Sequence, residues 1–287
     1  MVIVRLKGGL GNQMFQYALG LKLRSLGREV RFDLRDYRGE TEAAKRFQLP
    51  LFGVSCPQAA EAELRRFGQG QSLAGRIERK LGRGAGKVYE EDLDAGYQPQ
   101  VLEMTEAYLD GYWQTERYFR DIRGEVLRSF VFPALQEERN RRLLSRIRGS
   151  QAVSVHIRRG DYLAAGNAKV YQGICTLQYY QKAIEYLRKK MDSPLFFFFS
   201  DDPAWVRENF CEPDMVLAEG NTAETAIWDM YLMTQCKANI VANSSFSWWG
   251  AWLNENSGKL VVSPARWQAN HEVLDFICDD WIRMGET

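Results

Sequence analysis

The chain has little with which to staple itself together. Its five cysteines, at positions 56, 175, 211, 236 and 278, are scattered and odd in number, with no Cys-x-x-Cys pair. That pattern excludes a disulfide framework or a thiolate zinc site as an organising device, and free thiols in a reducing compartment are the simpler reading. The two histidines, His156 and His271, lie far apart and make no metal-binding motif. Charge of one sign is missing as well. The 38 basic and 37 acidic residues leave a net charge of +1, without the excess that marks a nucleic-acid binder. Any bound anion must be held by a local patch. Long apolar runs are also absent. The longest, 195–199, falls far short of the roughly 18 residues of a membrane-spanning helix. The opening residues are too short a run for a secretory leader. The expectation is a cytoplasmic chain with no integral membrane segment. No short-period repeat or low-complexity tract is present.

What is there is ordinary globular material. Hydrophobic residues make up 45% and charged residues 26% of 287 positions, enough for about two domains of roughly 100–200 residues each. Residues 2–6 read as a strand. A glycine-rich loop follows, and Met14, Ala18 and Leu21 then repeat at helical spacing up to Gly27. A second strand follows at 30–34. Strand, glycine loop, helix, strand is the opening of an α/β unit with a parallel sheet. Residues 65–87, rich in Gly, Arg and Gln, read as exposed helix and loop. An aromatic cluster occupies 111–119, and 140–148 reads as a basic amphipathic helix. Gly149-Ser150-Gln151 marks a domain boundary. The pattern then restarts: strands at 152–157, 195–199, 239–242 and 260–263, helices at 178–191, 225–236 and 247–253. The run 195–199, apolar throughout, suits a strand buried on both faces. Two Rossmann-like α/β domains facing each other across a cleft are expected. They span 1–149 and 150–270, and a final helix at 272–284, within a tail of 271–287, packs back on the first.

Three loops carry the chemistry, and each follows a strand. In Gly8-Gly9-Leu10-Gly11-Asn12-Gln13, glycines allow close backbone approach and a helix start offers free N–H groups, though a structural turn explains it equally well. In His156-Ile157-Arg158-Arg159-Gly160-Asp161-Tyr162, adjacent arginines on extended chain point to opposite faces. One can grip phosphate with its planar fork while the other pairs with a carboxylate such as Asp161. A salt-bridged strand end explains this loop equally well. In Asn243-Ser244-Ser245-Phe246-Ser247-Trp248-Trp249, hydroxyls and helix N–H groups suit phosphate oxygens, while Trp248, Trp249 and Trp252 read as core. Ligands gather beyond the carboxyl ends of parallel strands, so the three loops together suit an anionic nucleotide. Asp92-Leu93-Asp94 fits a metal-holding Asp-x-Asp but stands in a polar, loop-like stretch and is set aside.

These segments resemble a known family. Gly8 to Ala18, Gly111-Tyr112-Trp113-Gln114, His156 to Tyr162 and Asn243 to Leu253 look like motifs of the α-1,2-fucosyltransferases of glycosyltransferase family 11, in family order and spanning nearly the whole chain. The resemblance implies a GT-B-like fold and inverting transfer of fucose from GDP-fucose to the 2-hydroxyl of a terminal β-galactoside, with no obligatory cofactor or metal. It assigns Arg158 to the β-phosphate and Ser244, Ser245, Phe246 and Ser247, with Asn243, to the surroundings of the diphosphate. Asp229 matches a guanine-reading aspartate and His156 a residue near the guanine. Asn12, beside Gly9 and Gly11, would reach the sugar-phosphate or the acceptor. The N-terminal domain would be the acceptor side and the C-terminal domain the donor side. The animal members carry a membrane anchor that this sequence lacks, which fits a bacterial, cytosolic enzyme. Residues 65–87 match no family motif. The catalytic base is not named: Asp161 is the carboxylate nearest the phosphate loop, and Asp33, Asp201 and Asp202 end strands. The rivals are a fucosyltransferase of another linkage, a GT-B enzyme with another nucleotide sugar, and a non-catalytic nucleotide-sugar-binding protein. Peripheral membrane contact through the basic run 139–148 is a further reading, with solvated helix charge the simpler explanation.

Overall fold

A computed structural model of the chain describes residues 1–39, 41–42, 46–70, 86–160, 173–269 and 275–285. Two compact units emerge, Met1–Val131 and Phe132–Thr287. In the first, β1 (Val2–Arg5), β2 (Val30–Asp33), β3 (Val88–Glu90) and β4 (Ala107–Asp110) form a sheet in the order β2-β1-β4-β3. Every pairing in it is parallel. Among the described residues its α-helices are α1 (Leu10–Ser25), α2 (Glu61–Arg66) and α3 (Arg123–Ser129). In the second unit, α4 (Glu138–Arg148) leads into β5 (Gln151–Ile157), α5 (Leu177–Lys190), β6 (Pro194–Ser200) and α6 (Pro203–Asn209). Then come β7 (Met215–Ala218), α7 (Ile227–Thr234), β8 (Ala238–Ile240), α8 (Ser245–Trp252), β9 (Leu260–Pro264) and β10 (Ile282–Met284). Their order is β10-β9-β8-β5-β6-β7, again all parallel.

The burial of β6 shows why its sequence is unbrokenly apolar. Phe196 and Phe198 pack into a core built with Tyr180, Ala183 and Leu187 of α5 and Val206 of α6. Phe197 and Phe199 face the other way, against Ile147 of α4 and Leu232 and Met233 of α7. A parallel sheet covered on both faces leaves no solvated side for polar alternation. The tryptophans of α8 are core, as their helical spacing suggests. Trp248 and Trp249 are fully buried. Trp248 stacks on Trp252 at 5.9 Å between ring centroids and donates its indole N–H to the carbonyl of Phe276.

Two boundaries differ from expectation. The units divide at 131/132 rather than 149/150, because Leu143, Leu144 and Ile147 turn α4 toward the second core. The tail also differs: residues 282–284 form β10 on the outer edge of the second sheet, so β9 does not close it and the tail does not end as a helix on the first domain. Ile282 and Met284 share the face that meets α5, with Arg283 between them exposed. Three residues of alternation are too few to read against the helix-like spacing of Phe276, Ile277 and Trp281, all buried. The sequence alone predicts no strand at β3, β4 or β7. The remainder of the tail helix that was expected, 272–274, and most of the stretch 65–87 lie outside the described residues.

Trp248→Ala is expected to lower stability by about 3–5 kcal/mol by opening a cavity and orphaning the Phe276 carbonyl. Urea unfolding measures it, and a loss of under 1 kcal/mol would show that α8 is not packed in this way.

Candidate active site

Because β5 and β8 pair in parallel, the loops that follow them open at one edge of the second sheet. His156, the penultimate residue of β5, is buried at that edge with 6% of its surface exposed. Its carbonyl accepts the Tyr180 hydroxyl at 3.1 Å. Its ring lies 5.6 Å from that of Phe246 at the start of α8. Burial first, then the neighbouring charge of Arg158, pull its imidazole down to about 3, so it is neutral at physiological pH. The buried Nδ1 has no hydrogen-bond partner among the described residues.

Beyond the strand the two arginines part, as alternation on extended chain requires. Arg158 Nη1 lies 3.1 Å from Asp201 Oδ2. The same carboxylate accepts the backbone N–H groups of Arg159, at 2.9 Å, and Gly160, at 3.1 Å. Asp201 thus folds the 158–160 turn and aims Arg158 at once. Arg159 goes instead to the start of α6. Its Nε meets Asp202 Oδ2 at 3.1 Å, and its guanidinium lies 4.3 Å over the Trp205 ring. Asp202 also caps α6 by accepting the Trp205 N–H. Asp161 lies outside the described residues.

Helix α8 begins at Ser244, an extended N-cap residue whose side chain caps nothing. The first-turn N–H groups of a helix have no intrahelical acceptor, so the start of α8 offers donors at this edge. The side chains nearby divide. Ser247 turns its hydroxyl inward to accept the Ala242 N–H at 3.2 Å. Asn243 donates to the Trp267 carbonyl at 3.1 Å, tying the loop down. Ser245 and Phe246 are half-buried.

Asp229 stands in the first turn of α7, the helix packed against α8. Burial pushes its carboxyl up to about 6, against the opposing effect of its bond from Asn221 and the charge of Arg139. Asn221 Nδ2 donates to Asp229 Oδ1 at 2.6 Å. Asn221 in turn exchanges two amide hydrogen bonds with Asn140 of α4, at 3.0 and 3.2 Å, and accepts from Arg139. Gly220, just before Asn221, has a φ of +94°, a conformation L side chains rarely adopt, and lies against the Arg139 guanidinium. Asn140, Asn221 and Gly220 carry no local sequence signal of this role, since the contact spans 81 positions.

In the first unit Gly9 is the N-cap of α1, and its carbonyl accepts the Asn12 and Gln13 N–H groups. Gly11 is buried in the first turn. Asn12 Oδ1 accepts from Gln114 Nε2 at 2.6 Å, so two of the quoted motifs meet. Gln16 reinforces the join by donating to the Gly111 carbonyl at 3.0 Å. Asp33 is committed elsewhere. Burial would raise its carboxyl, but hydrogen bonds from Arg35 and Tyr108 outweigh that and hold it below the usual range. It is poorly suited to be a base. Asp92 accepts the N–H of Asp94 in an exposed turn. Among the described residues no cluster of His, Cys, Asp and Glu is arranged to hold a metal ion, and no helix is long and apolar enough to cross a membrane.

Asp201→Ala removes the acceptor of two N–H groups and the partner of Arg158 together. It should cost about 1–3 kcal/mol in urea unfolding, against about 1 kcal/mol for the lost helix cap in Asp202→Ala. Equal small losses in both variants would contradict the role given to Asp201.

The family model for glycosyl transferase family 11 matches residues 98–284. The chain is 34% identical to an α-1,2-colitosyltransferase of Escherichia coli, over 99% of this chain and 98% of that one. It is 30% identical to the O-antigen biosynthesis glycosyltransferase WbnK of Escherichia coli, over 97% and 99%. Over 50% of its length it is 32% identical to 41% of the galactoside 2-α-L-fucosyltransferase SEC1 of Bos taurus. With the family matched over most of the chain and full-length relatives at this identity, the chain belongs to glycosyltransferase family 11 and is a glycosyltransferase of that fucosyltransferase family.

Proposed function

We propose that this enzyme transfers L-fucose from GDP-β-L-fucose to the 2-hydroxyl of a terminal β-galactoside, with inversion at the anomeric carbon. The observation that carries the reading is the edge of the second sheet. There an aimed arginine, an open helix start and a neutral buried histidine share one rim with Phe246.

In this reading the second unit is the donor side. Arg158 holds the β-phosphate, and the N–H groups at the start of α8, with the Ser244 and Ser245 hydroxyls, surround the diphosphate. Asp229 accepts from the guanine edge and His156 lies beside the base. As the acceptor oxygen attacks, the bond from the fucosyl carbon to the β-phosphate oxygen breaks, and negative charge collects on GDP. Fixed positive charge and oriented N–H dipoles stabilise that charge without reorganising, and losing one such donor typically costs about 10²–10³ in rate. The reading needs no metal to meet this charge. In the same reading the first unit binds the acceptor, through residues that include Asn12. The acceptor proton must also be taken up. Asp33 and Asp202 are held by other partners, and Asp201 is bound to Arg158, so Asp161 is the carboxylate we assign to this role. The full-length match to an α-1,2-colitosyltransferase supports a second reading, with a colitosyl donor in place of the fucosyl one. Competition between the two donors distinguishes them.

Arg158→Ala is expected to lower kcat by at least about a hundredfold with folding intact by circular dichroism. Near-normal turnover would remove it from the phosphate site. The Asp229 carboxyl, pushed up to about 6, accepts through both oxygens only when ionised, because protonation turns one of them into a donor. The KM for the donor should therefore rise as pH falls below about 6, and Asp229→Asn should flatten that rise. An unchanged pH profile in Asp229→Asn would contradict the base-reading role.

A further inference from the structure

The turn after β4 is held in a conformation it would not adopt alone. Trp113 has a φ of +56°, a left-handed conformation that is strained for a bulky residue. It is nonetheless fully buried, against Tyr89 and Tyr118. Gly111 precedes it where a Cβ would lie 2.5 Å from Glu91 Cβ and 2.7 Å from the Trp113 ring. The strain is held by Glu91. Its carboxylate accepts the Tyr112 N–H at 2.5 Å and the Trp113 N–H at 3.0 and 3.1 Å. Its own N–H donates to the Asp110 carbonyl. Burial raises the carboxyl of Glu91, opposed by those two N–H groups and the charge of Lys7. Glu91 is partly buried, and these hydrogen bonds offset the cost of desolvating its carboxylate.

The turn leads to Gln114. Gln114 Nε2 donates to Asn12 Oδ1 at 2.6 Å. Each side-chain amide has one acceptor and one two-proton donor. This single bond leaves the Asn12 amide nitrogen and the Gln114 amide oxygen without a protein partner among the described residues, and both residues are partly exposed. Turning both amides over would still leave one donor and one acceptor. A donor beside an acceptor matches two neighbouring hydroxyls of a pyranose, each of which donates and accepts. Tyr112, in the same turn, is also partly exposed, with Lys7 Nζ 4.7 Å from its ring centroid.

We propose that Asn12 and Gln114 form a hydroxyl-reading pair for the acceptor sugar, and that Glu91 is the positioning residue that holds the pair in place through the strained turn. The proposal rests on the reading above that the first unit receives the acceptor. Its ligand class is a neutral pyranoside with two vicinal hydroxyls.

The test uses the full chain with GDP-fucose and a β-galactoside, together with the acceptor's 3-, 4- and 6-deoxy analogues. Gln114→Ala should raise the acceptor KM about tenfold, with GDP affinity by calorimetry and the donor KM unchanged. At least one deoxy analogue should lose about tenfold in kcat/KM with the wild-type enzyme and no further activity with Gln114→Ala. Glu91→Gln keeps one acceptor oxygen but opposes the other N–H with its own. It should shift the acceptor KM in the same direction and leave GDP affinity alone, a split that general destabilisation would not produce. Equal deoxy penalties in wild type and Gln114→Ala, with the acceptor KM unmoved, overturn the pair itself. A shift confined to the donor KM overturns the proposal through the acceptor placement on which it rests.

Discussion

A parallel strand cannot be followed directly by its parallel neighbour; the chain must first cross back over a face of the sheet. Every loop that leaves a strand's carboxyl end therefore opens at the same edge. In this protein that constraint operates in each unit separately. It sets the His156 to Gly160 loop beside the start of α8 in one sheet, and the Gly8 to Asn12 loop beside the Gly111 to Gln114 turn in the other. The crossover helices then fix what each loop can present. Because α4 and α7 cover one face of the second sheet and α5 and α6 the other, alternate residues at a strand end are sorted to opposite sides. Arg158 and Arg159 are parted in this way.

At these edges the polar groups are mostly oriented by other polar groups. Asp201 answers Arg158 and two backbone N–H groups, Asn221 answers Asp229 and Asn140, and Glu91 answers two N–H groups of a strained turn. Such second partners keep a ligand-facing group from having to reorganise when charge develops. In a chain with almost no net charge, the positive charge at this edge is therefore local.

Much of this was legible from residue order alone. The runs of β5 and β6, the helical spacing of α5 and the glycine-rich entry to α1 each carry enough residues for their period to show. β3, β7 and β10 run to only three or four residues, too few to separate alternation from helical spacing. The same limit governed the site. His156, Arg158 and the Ser244 to Ser247 stretch stand in contiguous motifs. Asn140 and Asn221 meet only because α4 packs beside α7, and Glu91 reaches Tyr112 across the β3–β4 pair. Contacts made by the tertiary fold leave no mark on the local pattern. Asp201 and Asp202 were visible as carboxylates at a strand end, but whether such a group is a base or a brace depends on its partners, which the sequence does not state.

We propose that the rim of the second sheet delivers fucose from GDP-fucose to the 2-hydroxyl of a galactoside. The most direct test is the structure of the product. Incubation with GDP-fucose and a terminal β-galactoside, followed by two-dimensional NMR, should show an α-configured fucose on O2 of the galactose, with GDP released in equal amount. Fucose at another position, a β-linkage, or tight GDP-fucose binding with no GDP released from any galactoside would contradict it.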